Sequence, residues 1–189
     1  MNNRSTHRAF TLLEVLIAVA TVVIFLVVVV TFYSSSQGFY TSITNKAEID
    51  QNGRVALDRM AREIRQAKQI VTILPATDSD PGNPPPSSLY FWDGHEDTIQ
   101  YIRYDLSGTN LIREVHVYYF ASDPNTYVSK DEKDINNNAP TEAILSTSAF
   151  AEFVDELQFF GTDIITIRLS LRKNDQDVPF ESKVKPRNL

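Results

Sequence analysis

The chain has 189 residues and a formal net charge of −6, and it contains no cysteine. Without cysteine, a disulfide framework and a cysteine-based metal site or nucleophile are both excluded. The negative charge works against nucleic acid, whose phosphates need clustered lysine and arginine, and no basic cluster offsets it. We therefore expect no direct nucleic-acid partner, and the length fits one domain or one domain joined to an anchor.

The first predicted element is an apolar run over residues 10–33. At about 1.5 Å per residue it reaches about 36 Å, enough to cross a hydrocarbon core of about 30 Å. Glu14 is its only charged residue, and a lone carboxylate in such a span costs about 2.5–3.5 kcal/mol on insertion scales. Arg4 and Arg8 precede the run, whereas the residues after it are nearly neutral. The positive-inside rule therefore predicts a cytoplasmic N-terminus and a C-terminal part across the membrane.

Three other interpretations of this run stay open. A secretory signal peptide would be cleaved near residues 34–36, but its apolar region is normally about 7–15 residues long and has no acid. A plain signal anchor accounts for the length and leaves Glu14 without a purpose. A buried helix of a soluble protein is the third.

Helical periodicity continues beyond the apolar run. Apolar residues return at helical spacing from Phe39 onward, and the opposite face carries charged i,i+4 pairs. The sequence predicts one helix of about sixty residues over 10–70, apolar in its first half and amphipathic in its second. We assign 10–33 to a transmembrane segment and 34–74 to the amphipathic continuation, with a bend at Gly53. The apolar positions of the second half are Ala56, Leu57, Met60, Ala61, Ile64, Ala67 and Val71.

Proline ends the helical region and strands follow. Residues 75–88 hold five of the nine prolines and predict a loop. Residues 89–189 form a predicted antiparallel sheet domain, so the fold class is α+β, a long N-terminal helix packed on an antiparallel sheet. The predicted pieces are a strand at 88–92, a hairpin of 98–106 and 110–120 around Ser107-Gly108-Thr109, a polar loop at 123–140, a short helix within 141–156, a strand at 163–172 and a last strand at 180–184.

Residues suited to catalysis are sparse after the apolar run. His95 and His116 are the only histidines in the part of the chain after residue 33. That part contains no phosphate loop, nucleophile elbow or zinc motif. We interpret His116 as a surface or pairing residue. The acids Asp131, Glu132 and Asp134 could recruit Ca²⁺, but the EF-hand spacing is missing, so a solvated loop is favoured. We expect neither an enzyme nor a cofactor.

The N-terminal motif resembles the class III leader of the type IV prepilin superfamily. The residues that carry the resemblance are Arg8-Ala9, Phe10, Thr11-Leu12-Leu13-Glu14 and the apolar run after them. In that family a membrane aspartyl peptidase cuts before the phenylalanine and N-methylates the new terminus. The resemblance therefore implies a leader over 1–9, a scissile bond between Ala9 and Phe10, and methylation of Phe10. Alanine stands where the family usually has glycine, and the small size is retained.

The same resemblance gives Glu14 a role in assembly. It implies that the carboxylate meets the terminal amine of a neighbouring subunit in a packed fibre. An amine with a reference pKa of about 8 is largely cationic near neutral pH. Such a pair is favourable in a low dielectric when both charges are satisfied. The implied partners are other pilin or pseudopilin subunits, the prepilin peptidase and the inner-membrane assembly platform.

Later segments help to choose within the superfamily. Residues 51–67, 99–108, 111–114 and 184–189 are similar to J-type minor pseudopilins and to W-type minor pilins. The J type implies a subunit of a type II secretion pseudopilus, placed in its tip complex, that supports export of folded proteins. The W type implies priming of a type IV pilus used for adhesion, motility or DNA uptake.

Both types imply a single-pass inner-membrane protein with a cytoplasmic N-terminus and a periplasmic C-terminal domain, which then enters the fibre. Major pilins commonly carry a C-terminal disulfide loop, and this chain has no cysteine. That difference favours a minor subunit. A membrane-anchored periplasmic binding domain is the alternative from a different class.

Overall fold

The computed structural model describes residues 11–95 and 98–188. Within them, one helix is followed by nine strands, and the chain divides into two compact units, Met1–Thr44 and Asn45–Leu189. The predicted α+β architecture, with a long N-terminal helix and antiparallel strands, is confirmed. The elements are α1 (Leu12–Gln66), β1 (Gln69–Ile70), β2 (Leu89–Trp92), β3 (Tyr101–Ser107), β4 (Asn110–Phe120), β5 (Asp123–Val128), β6 (Thr141–Ala151), β7 (Val154–Phe160), β8 (Ile165–Lys173) and β9 (Gln176–Val184).

Within the first unit, α1 exposes its apolar side chains. The large hydrophobic residues from Leu12 to Tyr33 are between 45% and 84% exposed. The hydroxyls of Thr21 and Thr31 each donate to the carbonyl four residues earlier at 2.8 Å, so they are satisfied inside the helix without water. By length and composition, α1 is long and apolar enough to cross a membrane.

Within the second unit, α1 buries one face. Ile49, Met60 and Ile64 are fully buried, and most of the apolar positions predicted for this half of the helix are buried with them. Phe39 and Ile43 extend the same periodicity, yet they lie in the first unit and are 71% and 65% exposed. The predicted apolar spacing therefore begins before the burial does.

The helix ends earlier than the sequence predicts. Gln69 and Ile70 form β1, which pairs with β2, instead of a last helical turn. The amide of Arg187 donates to the Arg65 carbonyl at 3.0 Å, and the Asn188 side chain donates to the Gln66 carbonyl at 3.1 Å. These bonds satisfy carbonyls that have no partner within the helix, which fixes its end at Gln66 rather than within 70–74.

The first sheet has six strands in the order β1-β2-β3-β4-β5, with β6 also pairing with β4. The β3–β4 hairpin is confirmed, with Ser107 opposite Asn110 and Gly108 at φ 62, a conformation that favours glycine. The pairing of β6 with β4 shifts register twice, leaving Leu145 and Phe150 as extra residues on β6. These two bulges lie along an 11-residue strand whose side chains are mostly exposed.

Two predictions for the middle of the chain are wrong. The expected polar loop at 123–140 contains β5, and the expected short helix within 141–156 is β6 followed by β7. The near-helical spacing of Phe150, Val154 and Leu157 arises because two successive strands each contribute apolar residues. Phe150 packs edge-on against the Tyr104 ring with 5.5 Å between centroids, whereas Val154 and Leu157 belong to the second sheet.

The second sheet has three strands in the order β7-β8-β9. Its central strand shows the predicted alternation, with Ile165, Ile167, Leu169 and Leu171 all buried. The last strand begins at Gln176, before the predicted start at residue 180. One buried cluster joins residues of both sheets to the α1 face that begins at Ile49.

Gly53 lies where α1 meets β9. A Cβ atom at this position would come within 2.3 Å of the Phe180 ring. The helix continues through Gly53 without interruption, and the close approach of Phe180 accounts for the glycine. The predicted bend stays a prediction.

Candidate assembly site

Glu14 lies in the first turn of α1, directly after a helix cap. The Thr11 carbonyl accepts the Glu14 amide at 3.0 Å, and the Thr11 hydroxyl accepts the same amide at 3.3 Å. Thr11 is therefore the N-cap, with Glu14 at the third helical position, the spacing of a capping box. A carboxylate in the first turn also interacts favourably with the helix dipole. The capping role was missed at the sequence level, although Thr-x-x-Glu before an apolar run is its signal.

The carboxylate of Glu14 stands on an exposed apolar surface. Its neighbours Leu13 and Val15 are 67% and 53% exposed. Within residues 11–95 and 98–188, the hydrogen bonds of Glu14 involve its backbone amide, and its side chain has no partner. No residue of the described ranges therefore occupies the carboxylate. The predicted cleavage residues, Ala9 and Phe10, lie outside the described residues, so processing there stays a prediction.

A second carboxylate, Glu63, attaches α1 to the first sheet. Its Oε2 accepts the Tyr104 hydroxyl at 2.5 Å and the Arg113 Nε at 3.0 Å, while Oε1 accepts the Arg59 Nε at 3.3 Å. The side chains of Glu63 and Arg113 are only 19% and 15% exposed. The sequence predicts the pairing of Glu63 with Arg59, because the two residues are four positions apart on a helix. It does not predict the contacts of Glu63 with Tyr104 and Arg113, which are 41 and 50 residues away.

Electrostatics reinforce this attachment. Burial, together with the negative charge of Glu63, raises the pKa of Tyr104, so the hydroxyl stays protonated and remains a donor. Burial alone would lower the pKa of Arg113, but the hydrogen bond from its guanidinium to Glu63 raises it above the usual value. Tyr104 and Arg113 therefore both remain hydrogen-bond donors to Glu63 across the ordinary pH range.

His116 lies in another polar network, on β4. Its Nδ1 is 2.8 Å from Oε1 of Glu142, and its Nε2 is 3.1 Å from Oε2 of Glu114. The Tyr118 hydroxyl donates to the same Glu142 oxygen at 3.0 Å and lies 2.9 Å from the Tyr90 hydroxyl. Because Glu142 belongs to β6, the network joins β6 to β4. The interpretation of His116 as a pairing residue agrees with these contacts, although the residue is buried rather than on the surface.

Each of the acidic residues considered as a Ca²⁺ ligand has its own hydrogen-bond or ion-pair partners. Asp134 accepts the amides of Asn136 and Asn138 at 2.8 and 2.7 Å, and the Asn138 side chain at 2.9 Å. These bonds, the Asn138 side chain first, hold the pKa of Asp134 below its usual value. Asp131 pairs with Lys130, and Glu132 accepts the Ser129 amide. In the described part of the chain, no three acidic or histidine side chains are grouped so as to hold a metal ion.

Comparison of the chain with protein-family models, curated proteins and solved structures finds no match. A function for the chain therefore rests on its own residues. The features that bear on it are the exposed apolar part of α1 with Glu14 in its first turn, and the folded domain into which the rest of α1 is built.

Proposed function

We propose that this chain is a minor pilin-like subunit that assembles into a short fibre through the first part of α1. One observation carries the proposal. The apolar side chains of residues 12–33 are exposed along a helix of membrane-crossing length, and Glu14 is the only charge among them. Such a surface needs lipid before assembly and neighbouring helices after it, and its carboxylate needs a cation.

The terminal amine of a neighbouring subunit is that cation. In the proposed sequence of events the chain inserts with a cytoplasmic N-terminus, because Arg4 and Arg8 precede the apolar run. A prepilin peptidase then cleaves between Ala9 and Phe10 and methylates the new terminus. Capping by Thr11 uses the backbone amide of Glu14, so the carboxylate stays free to pair with the amine.

The favoured assembly is the tip complex of a type II secretion pseudopilus. A minor pilin that primes a type IV pilus is the second candidate, because residues 51–67 are similar to both types. Deletion of the gene separates the two. Loss of folded proteins from the medium, with surface pili intact, indicates the pseudopilus, whereas loss of pili with secretion intact indicates the pilus.

Mass spectrometry of the mature N-terminus tests the processing step. The full chain, expressed together with a prepilin peptidase, is expected to begin at an N-methylated Phe10. A chain that begins at Met1, or at Gln37 after signal-peptide cleavage, contradicts the proposal and favours a membrane-anchored domain.

Substitution of Glu14 tests the assembly step. Glu14→Val is expected to insert and to be cleaved normally but to be lost from the sheared fibre fraction, because the amine then lacks its partner. Thr11→Val is the matched control, since it removes the hydroxyl cap and keeps the carboxylate, and it is expected to enter fibres. Wild-type incorporation of Glu14→Val, or equal loss of both variants, contradicts the pairing role.

A further inference from the structure

A cleft of about 280 Å³ opens on the first sheet, on the face turned away from α1. On β3, Ile102 and Tyr104 belong to the core that includes α1, so the alternating residue Arg103 points to the opposite face. The cleft lies entirely within the second unit and shares no residue with the exposed part of α1. Its lining residues are Thr72, Ser88, Tyr90, Arg103, His116 and Glu142.

The rim of the cleft offers unused hydrogen-bonding groups of both kinds. Arg103 is exposed, and its side chain has no hydrogen bond or ion pair to any residue in 11–95 or 98–188. The Thr72 hydroxyl accepts the Tyr90 amide at 2.8 Å, which leaves its own proton to donate. Glu142 uses Oε1 for His116 and Tyr118, which leaves Oε2 as an acceptor. A ligand would therefore meet donors and an acceptor around one opening.

The Tyr90 ring is the aromatic part of the cleft lining, which we call its floor. Other side chains hold this ring in place from several sides. The Tyr90 ring stacks on the buried Tyr101 ring with 5.5 Å between centroids and an angle of 28°. His116 packs against Tyr90 at 5.5 Å and 76°, and the Tyr90 hydroxyl is fixed by Tyr118 at 2.9 Å. A floor with its geometry already set lowers the entropy lost when a ligand is ordered on it.

The cleft contains charged groups of both signs. Arg103 is cationic and Glu142 is anionic, while His116 lies between the carboxylates of Glu114 and Glu142. This arrangement does not favour a simple anion or a simple cation. It favours a neutral molecule whose groups donate and accept at once, as hydroxyl groups do.

We propose that this cleft binds one neutral sugar ring, a pyranose, with its carbon–hydrogen face on Tyr90 and its hydroxyls on Arg103 and Glu142. The volume of about 280 Å³ lies just below the range of about 300–1,000 Å³ typical of ligand pockets, so the ligand is a single ring. An aromatic floor with a polar rim matches a molecule that has one apolar face and polar edges. The site goes beyond the assembly role and does not depend on it.

The chain contains its own reporter for this site. Trp92 is the only tryptophan, and its ring lies 5.9 Å from Tyr101, which stacks on Tyr90. The full chain, held in a polyoxyethylene detergent rather than a maltoside that would compete, is titrated with methyl glucoside, methyl galactoside and N-acetylglucosamine. Trp92 fluorescence and saturation-transfer NMR of each sugar are recorded, with inorganic phosphate as the anion probe.

We expect saturable binding of at least one pyranose and no saturable response to phosphate. Arg103→Gln removes the charged donor and should weaken binding by about tenfold or more, which corresponds to a charged hydrogen bond of about 1.5 kcal/mol or more. Arg103 is exposed and unpaired in the described structure, so its replacement leaves the fold intact. Arg54→Gln, an exposed arginine on α1 outside the cleft, is the matched control and should bind like the wild type.

Three results would overturn the proposal. The first is the absence of saturable binding for all three sugars by both measurements. The second is a saturable response to phosphate alone, which would make the cleft an anion site. The third is sugar binding that Arg103→Gln leaves unchanged, because the ligand would then lie elsewhere.

Discussion

The two parts of α1 share one helical backbone but differ in whether their apolar side chains are exposed or buried. Up to Thr44, the helix presents apolar side chains outward, and its threonine hydroxyls bond to its own carbonyls. From Asn45 onward, one apolar face is buried beneath both sheets and the exposed side is charged. Helical hydrogen bonding is the same in both parts, so the difference lies in what surrounds the side chains.

This contrast assigns a different source of stability to each part. The second part is stabilised by the chain's own core and by the Glu63 cluster. The first part has no core of its own in the described structure, and its apolar side chains are exposed. Three matched pairs of substitutions on this one helix test the contrast, each with one member in either part.

The largest effect is expected for Ile64→Ala, with Ile43→Ala as its counterpart. Ile64 is fully buried and Ile43 is 65% exposed. Truncation of Ile64 should lower the free energy of unfolding by about 2–5 kcal/mol through lost transfer energy and a cavity. Truncation of Ile43 should change it by less than about 0.5 kcal/mol. Urea unfolding of the full chain in detergent, followed by Trp92 fluorescence, measures both, and equal losses would contradict the contrast.

An intermediate effect is expected for Glu63→Gln, with Glu14→Gln as its counterpart. Glu63 bonds Tyr104 and Arg113 in a mostly buried cluster, whereas the Glu14 side chain has no partner in the described structure. Loss of the Glu63 charge should cost about 1.5–3 kcal/mol, the range for hydrogen bonds to charged groups. Glu14→Gln should leave unfolding of the domain unchanged. The same urea titration applies, and a Glu63→Gln variant as stable as the wild type would show that the cluster does not hold α1.

The smallest effect is expected for Gly53→Ala, with Gly38→Ala as its counterpart. A Cβ at Gly53 meets the Phe180 ring, whereas a Cβ at Gly38 meets nothing within 4 Å. Displacing Phe180 should cost about 1–3 kcal/mol, partly offset by a gain of about 1 kcal/mol in helix propensity. Gly38→Ala gains the same helix propensity without displacing any side chain, so it should stabilise the helix. Thermal unfolding by circular dichroism compares the two variants, and a stabilised Gly53→Ala would mean that Phe180 moves without cost.

Patterns within one element predict most of the fold. The alternation of Ile165, Ile167 and Leu169 identifies β8, and the spacing of Met60 and Ile64 identifies the buried face of α1. The capping of Glu14 by Thr11 was also open to prediction, since the two residues are three positions apart.

Contacts between distant segments could not be predicted in this way. Tyr104 and Arg113 reach Glu63 only because the sheet brings β3 and β4 to the helix. The cleft combines residues from Thr72 to Glu142, with no local motif among them. In the region 141–156, apolar residues of β6 and β7 combine into a false helical period, because periodicity cannot tell one element from two short ones.

The two bulges of β6 have a consequence for domains that meet at high concentration. A long strand paired on one side is a template for a second strand, and the exposed Ile144 and Leu145 would add apolar contact to such pairing. The extra residues Leu145 and Phe150 interrupt the regular spacing of hydrogen-bonding groups along β6. Regular edge-to-edge pairing between two such domains is thereby disfavoured.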